Sequence, residues 1–193
     1  MEFMKVDQDR AGIPNLKLLS ISCSFAKNSE TGVQEIVALS AVTVDNYNLE
    51  NQNQEKNIEK FSAVRPFHSH IIPYGFDKSQ VQESEFALIN YFLSKLGKFD
   101  PDVIVGHYLY NEIFELLINR MQKLNISIAS KLGRLKKNLG RLGGGILNKA
   151  RALSQGRLLC DTFLSAKEVI KENDFSLSFL AEKHIDHAYK EIE

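Results

Sequence analysis

The stretch DVIVGH, residues 102–107, runs into NEIFELLINRMQKL, residues 111–124. The first is short and almost wholly apolar, the pattern of a strand in the middle of a sheet. The second places Ile113, Leu116, Leu117, Met121 and Leu124 on one helical stripe, with Asn111 as its cap. An apolar strand feeding an amphipathic helix is the building unit of a layered α/β fold.

Working outward from this unit, the same alternation recurs. LKLLSISCSF (16–25) and QEIVALSAVTV (34–44) read as two strands. The polar AKNSETGV between them, with Gly32, makes an antiparallel hairpin. In the first strand Ser20, Ser22 and Ser24 alternate and so share a face. Residues 45–60 are a polar surface loop, and KFSAVRPF (60–67) reads as a third strand ending before Pro66. Residues 79–97 read as a helix opened by a Ser79–Gln82 capping box and closed at Gly97, with Phe86, Ile89, Leu93 and Leu96 inward. GRLLCDT (156–162) reads as a buried strand. SAKEVIKE (165–172) begins with a Ser–Glu capping box, and SLSFLAEKHI (176–185) is a further helix. The expected architecture is a mixed sheet flanked by helices, with a basic, glycine-containing loop or hairpin inserted at 125–156. Residues 1–15 form an extension ahead of a domain spanning 16–193.

The chain carries 24 Lys plus Arg and 24 Asp plus Glu, but the charge is segregated. No acidic residue lies between Glu115 and Asp161. That stretch holds Arg120, Lys123, Lys131, Arg134, Lys136, Lys137, Arg141, Lys149, Arg151 and Arg157. Such asymmetry points to a polyanion, against the plainer alternative of a solvated basic loop. No aromatic residue lies between Phe114 and Phe163, so base stacking contributes little there. Cys23 and Cys160 sit in apolar runs without a C-x-x-C partner, the usage of buried thiols in a reducing compartment, and this argues against a cysteine zinc site. No run of about 18 apolar residues occurs, and MEFMKVDQDRAG has no apolar core, so neither a membrane span nor a signal peptide is expected.

The element order and several phrases resemble the 3′–5′ exonuclease domain of family B DNA polymerases, a ribonuclease H-like fold, and most of all its alpha type. The phrases are FDPDVIVGHYLYNEIFELLINRM (99–121), then GRLK (133–136), LGG (142–144), CD (160–161), SAKE (165–168) and FSLSFLAE (175–182), in order and at matching spacing. The resemblance runs from about Leu16 to Glu182. Active members carry a D-x-E motif on the first strand, whose carboxylates hold two divalent metals about 3.5–4 Å apart for phosphodiester hydrolysis. The resemblance puts those positions at Ser22 and Ser24. Both are expected in a small polar pocket near Ile113. The second motif, N-x-x-x-F-D, falls with its Asn at Tyr108 and its Asp at Ile113. Glu112 does not substitute for that Asp, because one helical step turns a side chain by about 100°. A Y-x-x-x-E at Tyr189 and Glu193 is too early for the family's third motif and is read as coincidence.

Asp161 matches the alpha-type CD aspartate and is read as a cap for the following helix, and His107 as a partner for a strand-end backbone group. His68, His70, His184, Asp186 and His187 lack a third ligand at metal-binding spacing. GRLGGG (140–145) lacks the spacing of a phosphate loop and reads as a turn. The resemblance implies a non-catalytic, DNA-adjacent domain of a longer nuclear polymerase. It would have no catalytic residue, no metal and no cofactor of its own, and Mg²⁺ would serve only the polymerase site elsewhere. Its expected partners are a primer–template, the palm, thumb and N-terminal domain of the same chain, and primase and an accessory subunit. The nucleic-acid candidates are Lys131, Arg134, Lys136, Lys137, Arg141, Lys149 and Arg151. Two rivals stand beside this: an active exonuclease, and a protein-docking module that never touches nucleic acid.

Overall fold

The N-terminal hairpin forms as its pattern requires. Strand β1 (Leu16–Lys27) pairs antiparallel with β2 (Gln34–Tyr47), with Ile21 opposite Ala41 and Cys23 opposite Leu39. Asn28 shapes the connection: its Oδ1 accepts from the Glu30 and Thr31 amides, and Gly32 takes φ of 67°. The computed structural model describes residues 14–48, 50, 57–67, 80–127, 131–135 and 144–185. β3 (Asn57–Val64) adds antiparallel to β2, while β4 (Val103–Gly106) and β5 (Leu158–Asp161) run parallel, giving the order β3-β2-β1-β4-β5. The apolar β4 lies inside the sheet, as its composition demands. β5 lies at the edge and Leu158 is exposed, contrary to the buried strand expected there.

One face of the sheet holds the core. Leu19 and Ile21 from β1, Leu39 and Ala41 from β2 and Ile104 from β4 are buried against helix α1 (Glu85–Phe99) and helix α2 (Glu115–Lys123). α1 contributes Leu88, Ile89, Phe92 and Leu96, and α2 contributes Leu117, Ile118 and Met121. The opposite face carries the serines: Ser20, Ser22 and Ser24 are exposed, and Ser22, Ser40 and Ser62 lie side by side across β1, β2 and β3.

Several boundaries differ from expectation, each for a local reason. α1 starts six residues later than the Ser79 reading, capped by the Ser84 hydroxyl, which accepts from the Ala87 amide. This frame turns Phe86 outward and Leu88 and Phe92 inward. Gly97 is helical, and Asp100, in the left-handed region at φ 52°, ends the helix. Residues 109–114 form a π-helical turn ahead of α2, with Tyr108 rather than Asn111 at its start. Helix α4 (Thr162–Val169) begins at Asp161, not Ser165: the Asp161 carboxylate accepts from the Phe163 amide, as a cap should. β3 spans 57–64 rather than 60–67. The basic insertion, expected without a helix, contains α3 (Ile146–Leu153), and α5 (Leu177–Ile185) follows α4 near where it was expected.

Candidate functional site

Where β1 and β4 run side by side, a cavity of about 480 Å³ opens. Its wall includes Ser22, Cys23, His107, Glu112, Ile113 and Thr162. The expected neighbourhood of Ser22 and Ile113 therefore exists. Ser24 does not line it, and both serines are exposed rather than buried. Glu112 does line it. The π-helical turn has both the Glu112 and the Ile113 amides bonded to the Tyr108 carbonyl, at 3.1 and 3.3 Å. Glu112 is exposed and Ile113 buried, and both border the cavity.

Tyr108 enters the turn in the left-handed region at φ 54°, a strained backbone for a bulky residue. Its ring packs 4.1 Å from that of Phe163 and 4.8 Å from that of His107. The His107 Nε2 lies 2.9 Å from the Phe175 carbonyl, which only accepts, so Nε2 carries the hydrogen. Nδ1 lies 3.0 Å from the Thr162 hydroxyl, and that hydroxyl lies 3.3 Å from the Gly106 carbonyl. With Nδ1 an acceptor, the single Thr162 hydroxyl hydrogen serves either Nδ1 or the Gly106 carbonyl at one time, and His107 holds the segment ahead of α5.

Asp161 is buried, and its two carboxylate oxygens accept from the Tyr110 and Phe163 amides at 3.2 and 3.0 Å. That is a structural use. Burial, with the nearby charge of Glu85 adding to it, pushes the Cys23 thiol up to about 12, so it is neither thiolate nucleophile nor ready ligand. Glu112 is then the only carboxylate on the cavity wall among the described residues. Two divalent cations need several hard anionic oxygens, and one carboxylate with hydroxyls around it does not provide them. The residues at the positions that the resemblance gives to metal carboxylates, Ser22, Ser24 and Ile113, do not by their chemistry fit a metal pair. No group of three or more His, Cys, Asp or Glu among the described residues is arranged to hold a metal ion.

The basic stretch divides in two. Among the described residues, three of its cations are taken up by acids of the same chain. Arg120 forms a two-pronged pair with Glu85, both buried, and Glu85 also accepts from the Ile36 amide at 2.8 Å. Arg134 bonds Asp100 and Asp102 at 2.9 and 2.8 Å, and Arg157 bonds Asp100 at 2.7 Å. Arg134 was expected to face nucleic acid; its guanidinium is occupied within the protein. Of the remainder, Lys131 donates to the Asn90 side chain, and Lys149 and Arg151 stand on α3, the latter exposed. Lys136, Lys137 and Arg141 lie outside the described residues, as do His68, His70, Asp186, His187 and Tyr189. His184 Nε2 lies 3.6 Å from Glu172.

The Glu85–Arg120 pair was missed, although a signal existed: Arg120 falls three residues after Leu117, on the inner stripe of its helix. A charge on an apolar stripe calls for a buried partner.

The family model for the DNA polymerase family B exonuclease domain matches residues 2–180. The chain belongs to this family. Its five-stranded mixed sheet flanked by helices agrees with the ribonuclease H-like architecture expected of it. It is 32% identical to the DNA polymerase alpha catalytic subunit of Xenopus laevis over 86% of this chain and 12% of that protein. The corresponding protein of Oxytricha trifallax is 32% identical over 91% and 13%, and that of Mus musculus 30% over 88% and 12%. The chain thus spans about an eighth of the length of these relatives. No helix among the described residues is long and apolar enough to cross a membrane.

Proposed function

We propose that this is a non-catalytic exonuclease-like domain of an alpha-type polymerase catalytic chain, one that braces the polymerase and lies beside DNA without proofreading it. What supports this is the cavity beside Ser22 and Ile113, whose only lining carboxylate among the described residues is Glu112; Ser22, Ser24 and Ile113 are the positions that the family resemblance gives to metal carboxylates. In the complete protein, palm carboxylates outside this chain would bind Mg²⁺ and extend an RNA–DNA primer in the nucleus. Primase and an accessory subunit would be its partners there. Purified domain incubated with Mg²⁺ or Mn²⁺ is expected to shorten neither single-stranded DNA nor a mismatched primer. Metal-dependent 3′ shortening that co-purifies with the monodisperse protein overturns the proposal.

The DNA contact is assigned to Lys131, Lys136, Lys137, Arg141, Lys149 and Arg151. Binding to primed DNA is expected to be weak, independent of sequence and steeply salt-dependent, since each phosphate contact releases counterion. A second reading, docking against protein alone, draws support from Leu158, Leu164, Val169 and Ile185, all exposed on β5, α4 and α5. Lys149→Ala with Arg151→Ala separates the two: a flatter salt slope supports DNA contact, and an unchanged slope supports docking.

A further inference from the structure

Both ends of the basic insertion are drawn to one turn. Arg134 reaches the Asp100 and Asp102 carboxylates from one end, and donates also to the Asp100 and Gly156 carbonyls at 2.9 and 3.3 Å; Arg157 reaches Asp100, the Pro101 carbonyl and, at 3.1 Å, the Leu132 carbonyl from the other. The backbone is equally close: the Arg134 amide donates to the Gln155 carbonyl at 2.8 Å, and a Cβ on Gly133 would come within 2.7 Å of the Leu153 carbonyl oxygen. Two guanidiniums meet two carboxylates, so the cluster is neutral. The two arginines differ in access. The Arg157 side chain is 3% exposed and that of Arg134 is a third exposed. Asp102 also accepts from the Lys17 amide at 2.8 Å, which fixes its carboxylate to the start of β1.

We infer that Asp100 and Asp102 form an autoinhibitory contact: they occupy the accessible Arg134 guanidinium as a phosphate group would, and a nucleic-acid backbone must displace them to engage it. This rests on the DNA contact proposed above. Arg134 gives one bond to each carboxylate, from Nε to Asp100 and from Nη2 to Asp102, and a phosphate accepts from the same donors, so the ligands compete for them. The bonds to Arg134 and Lys17 hold Asp100 and Asp102 below the usual carboxylate range, which keeps the contact charged at neutral pH. Asp102 is the residue to change, because Asp100 also serves the buried Arg157.

The test is a salt titration of binding to primed DNA by wild type, Asp102→Asn, Arg134→Ala and the double variant, each first checked for an intact thermal transition. Asp102→Asn is expected to bind several-fold tighter, with a salt slope steeper by about 0.7–0.9, the value of one added phosphate contact. Arg134→Ala is expected to leave wild-type binding nearly unchanged and to abolish the gain in the double variant. If wild type binds but Asp102→Asn has the same affinity and slope, the masking is wrong while the DNA contact stands. If Arg134→Ala weakens wild type as much as it weakens Asp102→Asn, Arg134 is already engaged and the masking is again wrong. Binding by Asp102→Asn alone supports it, and no binding by any variant overturns both proposals.

Discussion

Two ionic clusters in this molecule use the same chemistry in opposite surroundings. Glu85 and Arg120 meet under the sheet, with the Ile36 amide and the Glu35–Arg65 pair close by. Asp100, Asp102, Arg134 and Arg157 meet at a surface turn, where Asp100 is half exposed. In the first cluster both partners are almost wholly out of water, so each charge depends on the other. In the second, water reaches Arg134, Asp100 and Asp102, though hardly Arg157, and those three ions can exchange partners. Burial, not the count of ion pairs, separates a structural tie from a contact that a ligand could displace.

The largest effect is expected from breaking the buried pair. Arg120→Ala strands Glu85 beneath the helices and should cost about 3–5 kcal/mol in urea denaturation. A loss below 1 kcal/mol would show that the site hydrates and that the contrast is false. Arg157→Ala removes a nearly buried guanidinium with two backbone carbonyl partners and should cost about 1.5–3 kcal/mol. Arg134→Ala, a third exposed, should cost no more than about 1 kcal/mol.

Acid tests both clusters at once. Asp100 is lowered chiefly by the Arg134 bond, and Asp102 chiefly by the Lys17 amide. For Glu35, burial pushes upward but the bonds from Arg65 and Asn28 outweigh it. A lowered folded pKa contributes stability above the unfolded value and loses it as pH falls through the folded one. The melting temperature should therefore hold above the ordinary values of 3.8 for Asp and 4.5 for Glu and fall below them. Asp102→Asn should shallow that fall. An identical acid limb in the variant would remove Asp102 from the account.

The smallest effect is expected at Ser22. The small polar pocket expected around Ser22 and Ser24 would leave carboxylates restored there partly buried and destabilising. Both positions are exposed, so Ser22→Asp with Ser24→Glu should change stability by no more than about 0.5 kcal/mol, checked by melting in metal-free buffer.

Periodicity made much of the fold legible. Alternation over 16–25 and 34–44 marked the hairpin, and the apolar run at 103–106 marked an inner strand, because burial selects residues at the repeat of the backbone. The positions proposed to have lost metal carboxylates were read from residue types at family spacing alone. Composition likewise showed ten cations without an acid among them. It could not show that Arg120, Arg134 and Arg157 spend their charge on acids far away in the chain, since pairing across 20–60 residues is set by how elements pack. It could not show that Glu112 borders the cavity, since the wall is assembled from β1, the end of β4, the turn at 109–114 and the segment ahead of α5. Residue type and local period were thus determined by the sequence alone. Which charges remain for a partner, and which side chains share a cavity, were decided by tertiary structure, because electrostatic energy depends on distance and burial rather than on order along the chain.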